Sequence, residues 1–90
     1  SSRAANEEAL GLLRQAVGLD PDYATAYALA ARCFQFQQMF GWRPPDDPGE
    51  GIRLAHRAIE LGRNDSEALW MAALALVHLS GEIEHVLAQV

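Results

Sequence analysis

The stretch ALGLLRQAVGLDPDYATAYALAARCF, residues 9–34, decides the fold of this 90-residue chain. Apolar residues recur at helical spacing on both sides of an Asp20-Pro21 pair, and the second half is rich in alanine. Small residues let two helix axes approach closely, while Leu13, Tyr27 and Phe34 fill the gaps between them. The stretch therefore predicts two close-packed helices joined by a sharp turn.

The spacing of these residues resembles a tetratricopeptide repeat, read from the second helix of one repeat into the first helix of the next. Two motifs carry the resemblance: Ala9-x3-Leu13-x2-Ala16-x4-Pro21 and Tyr27-x2-Ala30-Ala31-x2-Phe34. The resemblance implies an all-α fold of antiparallel helix pairs in a right-handed superhelix. It also implies a non-catalytic scaffold that binds a protein or peptide in a concave groove.

An internal repeat extends the resemblance over nearly the whole chain. Residues 16–27 (AVGLDPDYATAY) align without a gap with residues 58–69 (AIELGRNDSEAL), an offset of 58 − 16 = 42 residues. A tetratricopeptide repeat has about 34 residues, so about eight are inserted, around the segment 41–48. We therefore expect a single domain that is a piece of a longer protein, divided into a half repeat (4–19), a full repeat with an inserted loop (20–62) and a partial repeat (64–90).

Helix boundaries follow from capping residues and glycines. Asp20-Pro21 and Asp47-Pro48 each predict a helix start, with Asp as the N-cap and Pro at the first helical position. Ser2 or Asn6 is the candidate cap of the first helix, and Asn64-Asp65-Ser66-Glu67 resembles a capping box. We predict about five helices, over residues 4–18, 21–40, 48–61, 65–80 and 82–90.

The buried faces are assigned from the same spacing. In the second helix we expect a core stripe of Tyr23, Tyr27, Ala30, Ala31 and Phe34. In the fourth helix the candidate core residues are Leu69, Ala72, Ala73, Leu76 and Leu79. Trp42, in the connection with Pro44 and Pro45, is predicted to fold back onto Met39 or Phe40 at the end of the second helix.

Composition excludes several classes of function. The net charge of −5 argues against a nucleic-acid partner. No apolar run approaches the roughly 18 residues of a membrane helix, so we expect no membrane partner. Cys33 is alone and reads as a small core residue, and His56, His78 and His85 form no metal-binding spacing. We expect no catalytic residue, no cofactor and no metal site.

The groove is the candidate site implied by the resemblance, because the first helix of each repeat lines the concave face in that family. The concave face is formed by the sides of the second and fourth helices opposite their core stripes. Ala28 and Val77 lie on these sides, together with the candidates named below. Trp70 beside Arg32 would form a peptide anchor, since aromatic residues and arginine dominate binding hot spots; alternatively, Trp70 packs on the neighbouring helix. The protein-binding candidates are Thr25, Arg32, Gln35, Glu67, Trp70 and Leu74.

A second hypothesis is a helical module that senses a small molecule in an aromatic pocket near Trp42, formed with Phe34, Phe36 and Phe40. An alternative for these aromatics is a satellite core under the inserted loop. The carboxylates of Asp46, Asp47 and Glu50 are a candidate cation site, although helix capping explains the last two more simply.

A narrower resemblance concerns the long helix ending at Gly41-Trp42 and the following GIRLAHRAIELGRNDSEAL, residues 51–69. It is similar to repeat regions found C-terminal to bacterial class III adenylate cyclases and winged-helix transcriptional regulators. This implies a cytoplasmic module of a larger signalling or regulatory protein. We also expect a homodimer through exposed repeat ends, with Leu10, Leu12 or Leu13 at one end and Val86 and Leu87 at the other.

Overall fold

The computed structural model describes residues 2–42, 46–47 and 49–81. These residues form an all-helical fold without a strand, which confirms the all-α part of the predicted fold class. The helices are α1 (Arg3–Leu19), α2 (Ala24–Met39), α3 (Glu50–Leu61) and α4 (Ser66–Ser80). The predicted fifth helix, over 82–90, lies outside the described residues, as do Pro44, Pro45 and Pro48.

Helix α2 is the centre of the fold. It packs against all three other helices, and α3 and α4 also pack against each other. Helix α1 lies along α2 and reaches α3 through the side chains of Arg14 and Glu50. The connections at 20–23 and 62–65 are short, as expected for antiparallel neighbours in a helical bundle.

Two predicted helix starts and several stops are confirmed. Ser2 caps α1 by accepting a hydrogen bond from the Ala5 backbone N–H at 3.1 Å. Asp65 caps α4 in the same way, accepting from the Ala68 N–H at 3.2 Å. Gly81 ends α4 with a φ of 74°, in the left-handed region where glycine carries no Cβ penalty.

The predicted start of the second helix at Asp20-Pro21 is wrong. Asp20 instead closes α1, because its backbone N–H donates to the Ala16 carbonyl, and α2 begins only at Ala24. The Asp20 side chain accepts from the Asp22 N–H, two residues on. A short side chain that bonds the backbone two residues ahead stabilises a turn in competition with a helix.

The start of α3 differs for the same reason. Helix α3 begins at Glu50 with Gly49 in the N-cap position, rather than with Asp47 as the cap. The Asp47 side chain accepts from the Gly49 N–H at 3.0 Å, again two residues on. Asp20 and Asp47 therefore each stabilise a turn just before a helix and do not serve as its N-cap.

The core of α2, α3 and α4 is built from alanine. Two clusters of almost completely buried residues hold these helices together. The first contains Ala28, Ala58, Ala68, Met71 and Ala72. The second contains Ala31, Ala55 and Ala75. Because alanine adds only a methyl group, full burial on all three helices requires their backbones to lie close together.

The predicted core faces of α2 and α4 are partly wrong. Tyr23 and Ala73, both assigned to the core, are exposed. Ala28 and Gln35, assigned to the opposite face of α2, are buried because α4 packs there. A helix with three neighbours has no wide solvent face, so a single core stripe does not describe it.

Candidate functional site

A cleft of about 170 Å³ lies between α2 and the middle of α4. Three large apolar side chains at this cleft are exposed: Met39, Trp70 and Leu74. Trp70 is 65% exposed, so most of its side chain is accessible at the cleft. The complete lining is Arg32, Gln35, Phe36, Met39, Trp70, Met71 and Leu74.

Four of the six groove candidates meet at this cleft: Arg32, Gln35, Trp70 and Leu74. The other two do not line it. Thr25 donates a hydrogen bond to the Asp65 carboxylate at 3.4 Å and so joins the start of α2 to the cap of α4. Glu67 lies exposed in the first turn of α4.

Sequence reasoning missed three lining residues, Phe36, Met39 and Met71. Phe36 and Met39 lie four and seven residues after Arg32, on the same helical face, and this spacing could have placed them beside it. Met71 follows Trp70 directly in the sequence. That its side chain lines the cleft depends on how α4 is rotated about its axis, which the sequence does not fix. Gln35 lines the cleft but is buried, so its polar group is hardly accessible to a ligand.

Arg32 is a cation without a carboxylate partner among the described residues. Its guanidinium carbon lies 5.0 Å from the centroid of the Phe36 ring, and its Nη1 lies 4.0 Å from the Met71 sulfur. Other arginines have acidic partners: Arg3 with Glu7, Arg14 with Glu50, Arg53 with Asp47 and Arg57 with Glu60. The stacking on Phe36 therefore holds an available positive charge at the cleft.

A second, larger cavity of about 530 Å³ lies between α1 and α2. Arg32 and Phe36 line this cavity as well as the first. Leu12 is 59% exposed at its edge, whereas Leu10, which we expected among the exposed residues, is buried because α2 covers it. The lining is Ala5, Asn6, Ala9, Leu12, Leu13, Leu29, Arg32, Cys33 and Phe36.

Two buried groups of this cavity tie α1 to α2. The Asn6 side-chain amide donates to the Cys33 carbonyl at 3.0 Å. Cys33 is a buried core residue, as predicted, and burial raises the pKa of its thiol. Since the neutral thiol is the less reactive form, Cys33 fits a structural residue and not a nucleophile.

The aromatic group near Trp42 is only partly assembled. The rings of Phe40 and Trp42 lie 5.1 Å apart, which confirms that Trp42 folds back onto the end of α2. Phe36 lies 6.1 Å from Phe40, but Phe34 is buried in a different cluster, under the guanidinium of Arg14. Trp42 lines neither of the two cavities.

Two of the three carboxylates considered for a cation, Asp47 and Glu50, bind arginines. Glu50 accepts two hydrogen bonds from Arg14, at 2.8 and 3.0 Å. Asp47 pairs with Arg53, and this hydrogen bond lowers the pKa of the Asp47 carboxyl. No three His, Cys, Asp or Glu side chains in the described ranges lie close enough to share a metal ion.

Comparison with known proteins adds no relative. No protein-family model matches the chain, and neither a curated protein nor a solved structure is significantly similar to it. None of the helices described has the length and apolar character needed to cross a bilayer.

Proposed function

We propose that the chain is a tetratricopeptide-like helical-repeat module that binds a protein or peptide segment in the cleft between α2 and α4. Its parent would be a larger cytoplasmic signalling or regulatory protein, and any catalysis would lie in another part of that parent. The resemblance to repeat regions C-terminal to bacterial class III adenylate cyclases and winged-helix regulators suggests this setting.

The packing order of the helices supports a repeat architecture. In a solenoid each unit contacts its neighbours in sequence, and corresponding helices of adjacent units lie side by side. The aligned segments 16–27 and 58–69 run from the end of α1 into α2 and from the end of α3 into α4. Helices α2 and α4 pack against each other, and α3 packs against both. This is the arrangement expected for one helix pair followed by the first helix of the next pair.

A single observation carries the binding proposal: exposed Trp70, Leu74 and Met39 surround a cleft with Arg32, which has no carboxylate partner within the described part of the chain. Grouped exposed apolar side chains mark interaction sites more often than isolated ones do. Tryptophan and arginine are enriched among the residues that contribute most to protein interfaces. We prefer this proposal to the small-molecule sensor because Trp42 lines neither cavity.

A peptide library displayed on phage tests the proposal. We expect selection on the immobilised chain to enrich peptides with apolar anchors, whose affinity Trp70→Ala lowers by about tenfold or more, since hot-spot residues contribute upwards of about 1–2 kcal/mol. Tyr23→Ala is the matched control, because Tyr23 is an exposed aromatic residue that does not line the cleft.

Helical content, measured by circular dichroism, would establish that both variants fold. The proposal would be overturned if no peptide were enriched over an empty support. It would also be overturned if the enriched peptides bound Trp70→Ala and Leu74→Ser as tightly as the parent chain.

A further inference from the structure

We propose that the cavity between α1 and α2 is a separate binding site for an apolar monocarboxylate, a fatty-acid-like molecule. Its acyl chain would lie against Leu12, Leu13 and Leu29, and its carboxylate would pair with Arg32. This site shares Arg32 and Phe36 with the cleft discussed above, and its other seven lining residues lie outside that cleft.

The size and lining of the cavity fit an acyl chain. Its volume of about 530 Å³ lies within the roughly 300–1,000 Å³ of typical small-molecule sites. Seven of its nine lining residues are apolar, counting Cys33 and the two alanines, Ala5 and Ala9. The side-chain amide of the polar Asn6 already donates to the Cys33 carbonyl, so this group does not require a ligand as a hydrogen-bond acceptor.

Arg32 selects the head group. It is the cation in the lining, it has no carboxylate partner among the described residues, and its stacking on Phe36 orients the guanidinium. A planar guanidinium matches one carboxylate with two parallel hydrogen bonds. A doubly charged phosphate head would call for further cations, and the lining contains no other positively charged residue. The single positive charge of Arg32 is therefore matched by a head group with one negative charge, such as a carboxylate.

Cys33 provides a reporter of occupancy, because it is the chain's only cysteine and lines this cavity. We would measure its alkylation rate by iodoacetamide, a neutral reagent, with decanoate kept below its micelle concentration. Labelling requires Cys33, which is buried, to become exposed. A ligand that binds only the form in which Cys33 is buried slows labelling by the factor 1 + [L]/Kd. Decanoate at ten times its Kd should thus slow labelling about elevenfold. Octanoate, with two fewer methylenes, should bind on the order of tenfold more weakly.

Paired substitutions on α1 locate the site. Leu12→Asp places a carboxylate at the cavity edge, on a residue that is already 59% exposed, and should abolish protection by decanoate. Leu19→Asp makes the same change on the same helix at an 89% exposed residue outside the cavity, and should keep full protection. Trp70→Ala, in the α2–α4 cleft alone, should also keep it.

The charge requirement has its own control. Arg32→Gln should weaken octanoate by up to about fivefold, the value of an exposed ion pair, and leave binding of uncharged octan-1-ol unchanged. Arg63→Gln, which removes an arginine that lines neither cavity, should change neither ligand.

Three results would overturn the proposal. The first is unchanged labelling of the parent chain at every decanoate concentration. The second is equal protection of Leu12→Asp and Leu19→Asp, which would place the ligand elsewhere. The third is labelling that slows with protein concentration alone, which would make this face a contact between copies of the chain.

Discussion

The two sides of α2 are packed in different ways. Towards α3 and α4, its contacts are made by alanines that are almost wholly buried, such as Ala28 and Ala31. Towards α1, the contacts include the larger Leu10 and Leu13, and a cavity of about 530 Å³ remains between the helices. One helix therefore has a tight side and an open side.

The difference follows from residue size and from the number of neighbours. On the tight side three helices contact one another, so each methyl group meets atoms from two directions. On the open side α1 packs along α2, and its link to α3 is the ion pair between the side chains of Arg14 and Glu50. Space for a ligand is accordingly found where large residues meet without a third helix to fill the remaining gaps.

The largest expected effect comes from overpacking the tight side. Ala31 is fully buried in a cluster with Ala55 and Ala75, so Ala31→Leu should lower the free energy of unfolding by about 1–3 kcal/mol. Ala9→Leu, which points the same added volume at the cavity, should change it by less than about 0.5 kcal/mol. Urea midpoints measure both, and equal losses would contradict the distinction between the two sides.

A pair of glycines sharpens the same comparison at smaller amplitude. A Cβ on Gly51 would lie 2.7 Å from the Phe34 Cβ, so Gly51→Ala should cost about 1 kcal/mol despite the better helix propensity of alanine. A Cβ on Gly11, in α1, would meet nothing within 4 Å, and Gly11→Ala should stabilise by about 0.5–1 kcal/mol.

Thermal melting of the two variants would display this change of sign. If both substitutions stabilised the chain, Phe34 would have room to move, and the description of α3 as tightly seated on α2 would be incorrect.

The positions of four helices could be predicted from the sequence because glycines and Asp65 mark their ends. Their rotation could not be predicted for α2 and α4. Alanines lie on every side of both helices, so no single apolar stripe indicates which face is inward. For that reason Ala28 was assigned to the face opposite the core, although it is buried, and Ala73 was assigned to the core, although it is exposed.

The candidate site was within reach of sequence reasoning only in part. Arg32 and Trp70 could be paired because the internal repeat places α2 beside α4. The cavity between α1 and α2 could not be anticipated, because it depends on how α1 is placed against α2, which residue spacing alone does not fix. That Arg32 has no carboxylate partner in the residues described is likewise a property of the fold, since acidic residues are plentiful in the chain.

The smallest expected effect concerns the ion pair that joins the open side to the tight side. Arg14 of α1 makes two hydrogen bonds to Glu50 of α3, and that pairing raises the pKa of the Arg14 guanidinium. Both side chains are partly exposed, at 51% and 27%, so solvent screens much of the attraction. A double-mutant cycle with Arg14→Gln and Glu50→Gln should therefore give a coupling of about 0.5 kcal/mol, decreasing in 1 M salt. Arg3 and Glu7, paired within α1 alone, form the control cycle. Of these two pairs, the Arg14 pair connects two helices and the Arg3 pair does not. Loss of the Arg14 pair should therefore loosen α1 and speed alkylation of Cys33, whereas loss of the Arg3 pair should not. Equal labelling rates in the two variants would mean that packing on α2, and not this ion pair, holds α1 in place.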